Sequence, residues 1–405
     1  MKTPTVTTIG MGYIGLPTSA VMAGKGIKVN GCDVNPKVVE TINAGNIHIV
    51  EPGLDELVKN SVKAGHLKVY GEPQPADVYL IVVPTPFNQK HKPDTSFVET
   101  AARSIIPILK KGDLFIIEST SPVLTTEKMA EIVFSERPEL KEEIFIAYCP
   151  ERVLPGNVLY ELEHNDRVIG GIDEISTQKA IEFYRLFVNG KLHPTNARTA
   201  EMCKLTENSS RDVQIAFANE LSIICDKAGI NVWELIELAN KHPRVNILQP
   251  GCGVGGHCIA VDPWFLVSDY PEHAHVIRQA REINDYKAEW SVEKILGTAR
   301  QFEIDHGRQP VIACMGLAFK PNIDDLRESP AKYITSKVVA EARGEVIIVE
   351  PNIQNHASFS LTHYSQAYKK ADIVAWLVNH KEFPCIQNEE QKIELDFCGV
   401  RKKRK

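Results

Sequence analysis

The chain has 405 residues, 43% of them hydrophobic and 24% charged, with a formal net charge of -6 at pH 7. These values belong to a globular protein of two or three domains and exclude collagen-like, low-complexity and disordered chains. The acidic balance offers no global basic field for nucleic acid, and no uninterrupted apolar run reaches the roughly 18 residues of a membrane span.

The N-terminal run VTTIGMGYIGLPTSAVMAG follows a single lysine, but Gly, Pro and Thr break it, so it does not read as a signal peptide. Residues 5–10, TVTTIG, read as a strand. The turn GMGYIG follows, then a helical pattern over 14–25 and a second strand at 29–34. Strand-like runs recur at 77–83, 114–119, 144–148 and 167–171, with helical patterns between most of them, such as 96–109. That alternation predicts a doubly wound, Rossmann-like parallel sheet with helices on both faces.

The pattern changes near residue 197. Residues 199–228 read as one long helix ending at Gly229, followed by helices at 231–241 and roughly 272–302. Val213, Phe217, Leu221 and Ile224 recur on the long helix at helical spacing. Such a stripe either packs within one chain or joins two copies. From 309 the alternation resumes, with strands in PVIACMG and EVIIVEP flanking a helix at 330–343, then strands at 372–378 and 393–400. The expected fold is therefore α/β: two Rossmann-like doubly wound domains, 1–196 and 303–405, joined by a helical central segment at 197–302. The final RKKRK, 401–405, reads as a solvated tail.

Gly10, Gly12 and Gly15 spell G-x-G-x-x-G between a strand and a helix. The first glycine allows a tight turn, the second lets backbone approach a pyrophosphate, and the third allows close helix–strand packing. The free N–H groups of the helix start then face the phosphate charge. Asp33 ends the next strand, where a carboxylate accepts from a ribose 2′-hydroxyl and repels a 2′-phosphate. NAD rather than NADP is the expected cofactor. Thr85 and Thr120 stand in loops after later strands of the same sheet and are candidates for contacts with cofactor or water.

Lys204, Asn208 and Arg211 share one face of the long helix. A desolvated lysine can serve as acid or base, and an asparagine can donate to a developing oxyanion. The stretch PGCGVGGHCIAVDP, 250–263, places Cys252, His257 and Cys258 among glycines. Adjacent residues 257 and 258 point poorly at one ion and no second ligand pair closes a zinc site, so no metal is expected. Two readings stay open from spacing alone: a nucleophile in a glycine cradle, with Asp262 orienting a base or water, and a plain glycine loop. The nine cysteines form no Cys-x-x-Cys pair, which favours reduced thiols and a cytoplasmic protein.

Taken together, GMGYIGLP, VPTPF, ESTSPV, AYCPERVLPG, TAEMCKLTEN, KHPRVNILQPG, GVGGHCIAVDPWF and GLAFKPNIDDLRESPA make the chain resemble the UDP-glucose/GDP-mannose dehydrogenase family along nearly its whole length. The resemblance implies a four-electron, NAD-dependent oxidation of a UDP-sugar C6 alcohol through a thiohemiacetal and a thioester on Cys258. Lys204 would act as acid/base and steady oxyanions with Asn208. Glu151 would position water near Thr120, and Asp262 would support hydrolysis, with His257 an orienting neighbour. The family's NAD positions fall on Tyr13, Ile14, Asp33, Thr85, Thr126 and Arg327. Its substrate positions fall on Arg152, Val153, Arg211, His242, Arg244, Gly255, Phe319 and Lys320, besides Lys204 and Asn208.

The relatives read Gly-Ser-Thr where this chain has Leu124, Thr125 and Thr126. The resemblance further implies a homodimer through the central helices and an active site between the two α/β domains. The substrate it points to, chiefly through KHPRVN, is UDP-N-acetyl-D-mannosamine, for a surface polysaccharide of the enterobacterial common antigen type. UDP-N-acetylglucosamine and UDP-glucose are the alternatives. Two rival functions differ in class: a two-electron hydroxyacid-type dehydrogenase that needs no cysteine, and a non-catalytic redox sensor using Cys252 and Cys258.

Overall fold

The computed structural model describes residues 3–88, 92–153, 156–256, 258–389 and 391–402. The chain forms two compact units, Met1–Thr206 and Glu207–Lys405.

The first unit is built on an eight-stranded sheet. Its elements run β1 (Thr5–Ile9), α1 (Gly15–Gly24), β2 (Lys28–Cys32), α2 (Pro36–Asn43), α3 (Leu54–Lys63), β3 (Leu67–Tyr70), β4 (Val78–Ile81), α4 (Ser96–Ile105), β5 (Leu114–Ile117) and α5 (Thr125–Glu136). They continue with β6 (Phe145–Tyr148), α6 (Val158–His164), β7 (Arg167–Gly171), α7 (Glu174–Tyr184) and β8 (Leu192–Asn196). The strand order is β3-β2-β1-β4-β5-β6-β7-β8. The alternation predicted a parallel sheet; β7 instead runs antiparallel to β6, with Tyr148 opposite Gly170. Among the described residues only the short α6 lies between those two strands, whereas β7 and β8, with α7 between them, are parallel.

The strands are apolar on both faces. In β5, Leu114 and Ile116 enter one core with α1, α3 and α7, while Phe115 and Ile117 enter the other with α4 and α5. A sheet covered by helices on both sides needs this continuous apolar pattern. Full burial of each such side chain contributes about 1.5–3 kcal/mol.

Helix α8 (Ala197–Ala228) carries the chain from the first unit into the second. The second unit continues with α9 (Val232–Ala239), α10 (Asp262–Asp269), α11 (His275–His306), β9 (Ile312–Met315), α12 (Pro330–Glu341), β10 (Val346–Val349), α13 (Tyr364–Lys370), β11 (Ile373–Trp376) and β12 (Ile393–Asp396). Its four strands are parallel in the order β10-β9-β11-β12. Ile312 and Cys314 face one core, Ala313 and Met315 the other.

Three features bear on the sequence expectation. The apolar stripe on α8, open in sequence between packing within one chain and joining two copies, is exposed at Phe217 and Ile224, 55% each. The buried face carries Asp212, Asn219 and Ser222 among small apolar residues such as Ala216, Ala218 and Cys225. Arg281 of α11 donates to Asp212 at 2.7 Å and to Asp285 at 2.6 Å. Asn284 donates to Asp212 at 2.8 Å and accepts from Asn219 at 2.8 Å. Secondly, α10, which the sequence pattern did not single out, starts within the glycine-rich motif with Pro263 in its first turn, where a missing N–H costs no intrahelical bond.

The third feature concerns the basic end. Arg401 is not part of a solvated tail. Its guanidinium grips the Glu394 carboxylate and the Ile386 carbonyl and lies 4.9 Å from the Trp376 ring. Lys402 reaches Gln249 at 3.0 Å, and residues 403–405 lie outside the described part.

The Arg281–Asp212 pair is almost wholly buried, with side chains 2% and 0% exposed. Removing the cation strands a carboxylate in low dielectric, and burial already pushes Asp212 above the usual carboxylate range. Arg281→Met is therefore expected to cost about 3–5 kcal/mol of stability, read from denaturant midpoints. A loss below about 1 kcal/mol would show that the pair is not a structural anchor.

Candidate functional site

The first group of candidates lies at the carboxyl ends of β1, β2, β4 and β5. Strand order reverses between β1 and β4, which opens a crevice at that point of the sheet. Gly10 has φ +94°, and a Cβ there would stand 2.3 Å from the Val82 carbonyl oxygen. A Cβ on Gly15 would stand 1.8 Å from the Gly10 carbonyl oxygen, so neither position admits a side chain. Gly12 differs, for a Cβ on it would meet nothing within 4 Å. That open space lies before the start of α1, which has no side-chain cap and no acidic residue in its first turn. Backbone N–H groups so presented suit a pyrophosphate.

Tyr13 is 54% exposed beside this turn and Ile14 is half-buried. Asp33 follows β2; one carboxylate oxygen accepts from Met11 N at 3.0 Å and the other from Asn35 N at 2.9 Å. Each oxygen keeps a second lone pair for a ribose hydroxyl. These residues fit an NAD.

Thr85 donates to the Thr120 carbonyl at 2.6 Å, which ties the loops after β4 and β5. Thr126 is fully buried, and its hydroxyl and N–H both donate to Glu201, at 2.6 and 2.8 Å. Leu124 N donates to the other Glu201 oxygen at 2.7 Å. Leu124 has φ 78°, a left-handed conformation that suits a glycine and strains a leucine. Glu201 thus holds the head of α5. Its own sequence context gave no sign of this, because the partners lie about 75 residues away.

A second cluster joins Lys204 to Glu151. The Lys204 ammonium donates to the Glu151 carbonyl at 2.7 Å. The Glu151 carboxylate accepts from Arg152 N at 2.6 Å and from the buried Arg167 guanidinium at 3.1 Å. Val153 packs against the first core, and Arg152 donates to the Asp166 carbonyl at 3.2 Å. Arg167 was not singled out by the sequence, where it is one cation in an ordinary strand.

In the second unit Cys258 is half-buried immediately before α10. Its carbonyl accepts from Val261 N at 3.0 Å and Asp262 N at 2.8 Å, closing the first turn. Asn208 donates to the Asp262 carboxylate at 2.5 Å, and Asp262 is 4% exposed. The glycine run is a packing requirement as well as a cradle. A Cβ on Gly255 would lie 2.6 Å from Phe319 Cβ and from the Glu328 carbonyl oxygen. Gly256, at φ +81°, lies under the Phe319 ring and donates to the Arg327 carbonyl at 3.1 Å. Gly255, Phe319 and Arg327 are thereby brought to the Cys258 loop. The Arg327 side chain is turned to Asp325, at 2.6 Å, and the neighbouring Lys320 is exposed.

Asn219 accepts from Gly251 N at 2.8 Å, so the buried network of α8 and α11 anchors the start of this loop. Arg211, His242 and Arg244 are exposed. His242 accepts from Arg244 N at 3.3 Å and so caps its own loop.

Cys252 is a core residue. Its thiol donates to the Leu377 carbonyl at 3.3 Å, and burial pushes it up to about 12. A thiol so poised is not a redox sensor at neutral pH. No disulfide joins the described cysteines, and no cluster of three or more His, Cys, Asp or Glu among the described residues is set to hold a metal ion. His257 lies outside the described residues. Among those described, no helix is long and apolar enough to cross a membrane.

Three family models match along the chain. They are the UDP-glucose/GDP-mannose dehydrogenase family NAD binding domain at residues 4–188, the central domain at 198–286 and the UDP binding domain at 313–400. The chain is 54% identical over 409 residues to a UDP-N-acetyl-D-mannosamine dehydrogenase of Campylobacter jejuni, covering 97% of this chain and 98% of the relative. It is 51% identical over 410 residues to an NDP-N-acetyl-D-galactosaminuronic acid dehydrogenase of Ralstonia nicotianae, covering 98% and 96%. Among solved structures, a UDP-N-acetyl-mannosamine dehydrogenase of Staphylococcus aureus superposes with a TM-score of 0.87 at 39% identity, covering 98% of this chain and 99% of that one.

The two glycines separate cofactor geometry from folding. Gly15→Ala drives a methyl into backbone and is expected to destabilise the chain by about 1–3 kcal/mol or more. Gly12→Ala has room in the protein, so its melting temperature should hold while NAD affinity falls about tenfold or more. Paired thermal melts and NAD titrations check this; equal affinity in Gly12→Ala and the native chain would remove the phosphate cradle from that turn.

Proposed function

We propose a specific reaction for this chain, which belongs to the UDP-glucose/GDP-mannose dehydrogenase family and is an NAD-dependent UDP-sugar oxidoreductase: oxidation of the C6 alcohol of UDP-N-acetyl-D-mannosamine to the uronate. The observation that carries the reading is Cys258, held before α10 in a glycine loop packed on Phe319, beside the Asn208–Asp262 hydrogen bond. Family membership and the Campylobacter relative support the substrate class.

Bound NAD supplies the hydride acceptor for each of two oxidations. The chain's own groups do the rest. Lys204, as the neutral amine, takes the proton of the C6 hydroxyl as the first hydride leaves, giving an aldehyde and the Lys204 ammonium. The Cys258 thiolate adds to that carbonyl, and the resulting oxyanion takes a proton to form a thiohemiacetal. Loss of a second hydride and of the hydroxyl proton gives a thioester. Water then breaks the carbon–sulfur bond, the thiolate leaves and the uronate is released. Covalent capture prevents escape of the aldehyde between the two oxidations.

Asn208 and the Lys204 ammonium steady the successive oxyanions. Glu151, with Thr120, orients the water, and Asp262 fixes Asn208 and supports hydrolysis. Gly10, Gly12, Tyr13, Ile14, Gly15, Asp33 and Thr85 hold NAD. Thr126 enters through the Glu201 cap, and Arg327 is assigned to the same cofactor. Arg152, Val153, Arg211, His242, Arg244, Gly255, Phe319 and Lys320 take the UDP-sugar, whose diphosphate suits the cations. The three-part division at 196 and 302 remains our assignment of NAD, central and UDP-sugar roles. A reducing cytoplasm suits the nucleophilic thiol, and the product suits a surface polysaccharide such as enterobacterial common antigen.

The Ralstonia relative is nearly as similar, so identity alone does not choose the sugar; KHPRVN favours the mannosamine derivative. NADH release measured across purified UDP- and GDP-sugars decides the substrate and the electron count. Two NADH per uronate are expected. One NADH with free aldehyde would replace this reading by the two-electron one. Cys258→Ser should lose the second oxidation, lowering uronate output by about a hundredfold or more; native output from that variant would exclude the nucleophile.

Exposed Phe217 and Ile224 on α8 support a homodimer through the central helices, because a fully apolar stripe left in water is unfavourable. Phe217→Asp with Ile224→Asp should shift the sedimenting species from dimer to monomer. A dimer that survives both changes places the interface elsewhere.

A further inference from the structure

Behind Glu151 lies a second carboxylate that the reaction above does not use. Glu118 follows β5, is fully enclosed, and accepts from the Tyr184 hydroxyl of α7. Its other oxygen has no protein partner. Arg167, the first residue of β7, is 3% exposed. Its guanidinium donates to Glu151 at 3.1 Å, reaches the Leu162 carbonyl at 3.4 Å and Cys149 Sγ at 4.0 Å, and lies 5.1 Å from the Tyr184 ring. Arg167 thus holds Glu151 directly and lies against the ring of Tyr184, whose hydroxyl donates to Glu118.

We propose that Arg167 is a positioning residue for Glu151 and that Glu118 sets the charge against which it works. The inference rests on the reading of Glu151 as the group that orients the hydrolytic water. The geometry is specific. Both Glu151 carboxylate oxygens are held, by Arg152 N and by Arg167, while its carbonyl receives Lys204. Loosening the Arg167 contact frees the carboxylate to rotate and disturbs the backbone against which the Lys204 ammonium rests. Misplacement by about 1 Å can cost a hundredfold in rate.

Glu118 adds a pH dependence. Burial pushes its carboxyl up to about 7, against the pull of Arg167 and with a further push from Glu151. The other titratable groups facing it stay neutral there, since burial pushes the Cys149 thiol up to about 12 and the Tyr184 phenol well above its usual range. Below about pH 7 Glu118 is protonated and Arg167 serves Glu151 alone. As pH rises through 7 the buried cluster gains a negative charge. The attraction between Glu118 and Arg167 then grows and competes with the hold of Arg167 on the Glu151 carboxylate.

Three variants of the full-length enzyme test this with UDP-sugar and NAD: Arg167→Lys, Glu118→Gln and Glu151→Gln. Arg167→Lys keeps a charge but loses the planar fork. It is expected to lower kcat about 10–100-fold with KM for the sugar changed by no more than about twofold. Glu118→Gln keeps the shape of the pocket and should abolish a limb in the kcat–pH profile near pH 7. A purely structural role would lower the melting temperature and leave kcat and the profile unchanged, which overturns the proposal. If Arg167→Lys does not fold, the Glu118→Gln profile decides alone, and a profile matching the native one overturns it. Native turnover in Glu151→Gln sinks the reading of Glu151 and this inference with it. Impaired Glu151→Gln beside native Arg167→Lys sinks the inference only.

Discussion

A row of polar side chains on α8, each hydrogen-bonded within its own unit, is the constraint on which the rest of the structure depends. Glu201 holds the head of α5, Lys204 rests on the Glu151 carbonyl and Asn208 holds Asp262. Further along, Asp212 pairs with Arg281, and Asn219 takes the N–H of Gly251. Within each unit the helix sets its contacts in register because its side chains repeat every 3.6 residues. The cost is burial of charge and amide groups, which is tolerable only where each is paired.

This arrangement explains why the buried and reactive groups of the chain are so often the same kinds of residue. Asp212 and Arg281 do no chemistry in the proposed reaction, yet they are as enclosed as Asp262. Their network reaches Gly251, at the start of the loop that carries Cys258. Cys252 and Cys258 illustrate the converse. They sit six residues apart in one glycine-rich stretch, but one thiol is sealed in the core against the Leu377 carbonyl and the other stands before α10. Proximity in sequence made them look like a pair, and packing gives them separate environments.

Much of the fold was legible from periodicity. Strands such as residues 114–117 are apolar on both faces because helices cover both sides of the sheet, and that leaves a continuous apolar run in the sequence. The reversed β7 was not legible, since a strand's direction is decided by its connection and its neighbour rather than its composition. The apolar positions on α8 were read correctly as a stripe, but the stripe faces outward. Helical spacing reports that residues share a face and says nothing of what that face meets. Arg401 is similar: in a run of basic residues it looks solvated, and only Glu394 and the Trp376 ring make it part of the fold.

For this protein the sequence by itself determined the alternating architecture, the glycine turn that fits a dinucleotide, and the family through motifs spread along its length. Those signals are local, or are ordered along the chain, so they survive without coordinates. Tertiary structure decided which carboxylate meets the Arg167 guanidinium, which cysteine is sealed and which face of α8 is buried. Glu151 follows β6 and Arg167 opens β7, and they meet because those two strands lie side by side. No local pattern records that meeting, because it follows from strand order and from burial, where a carboxylate needs a cation beside it.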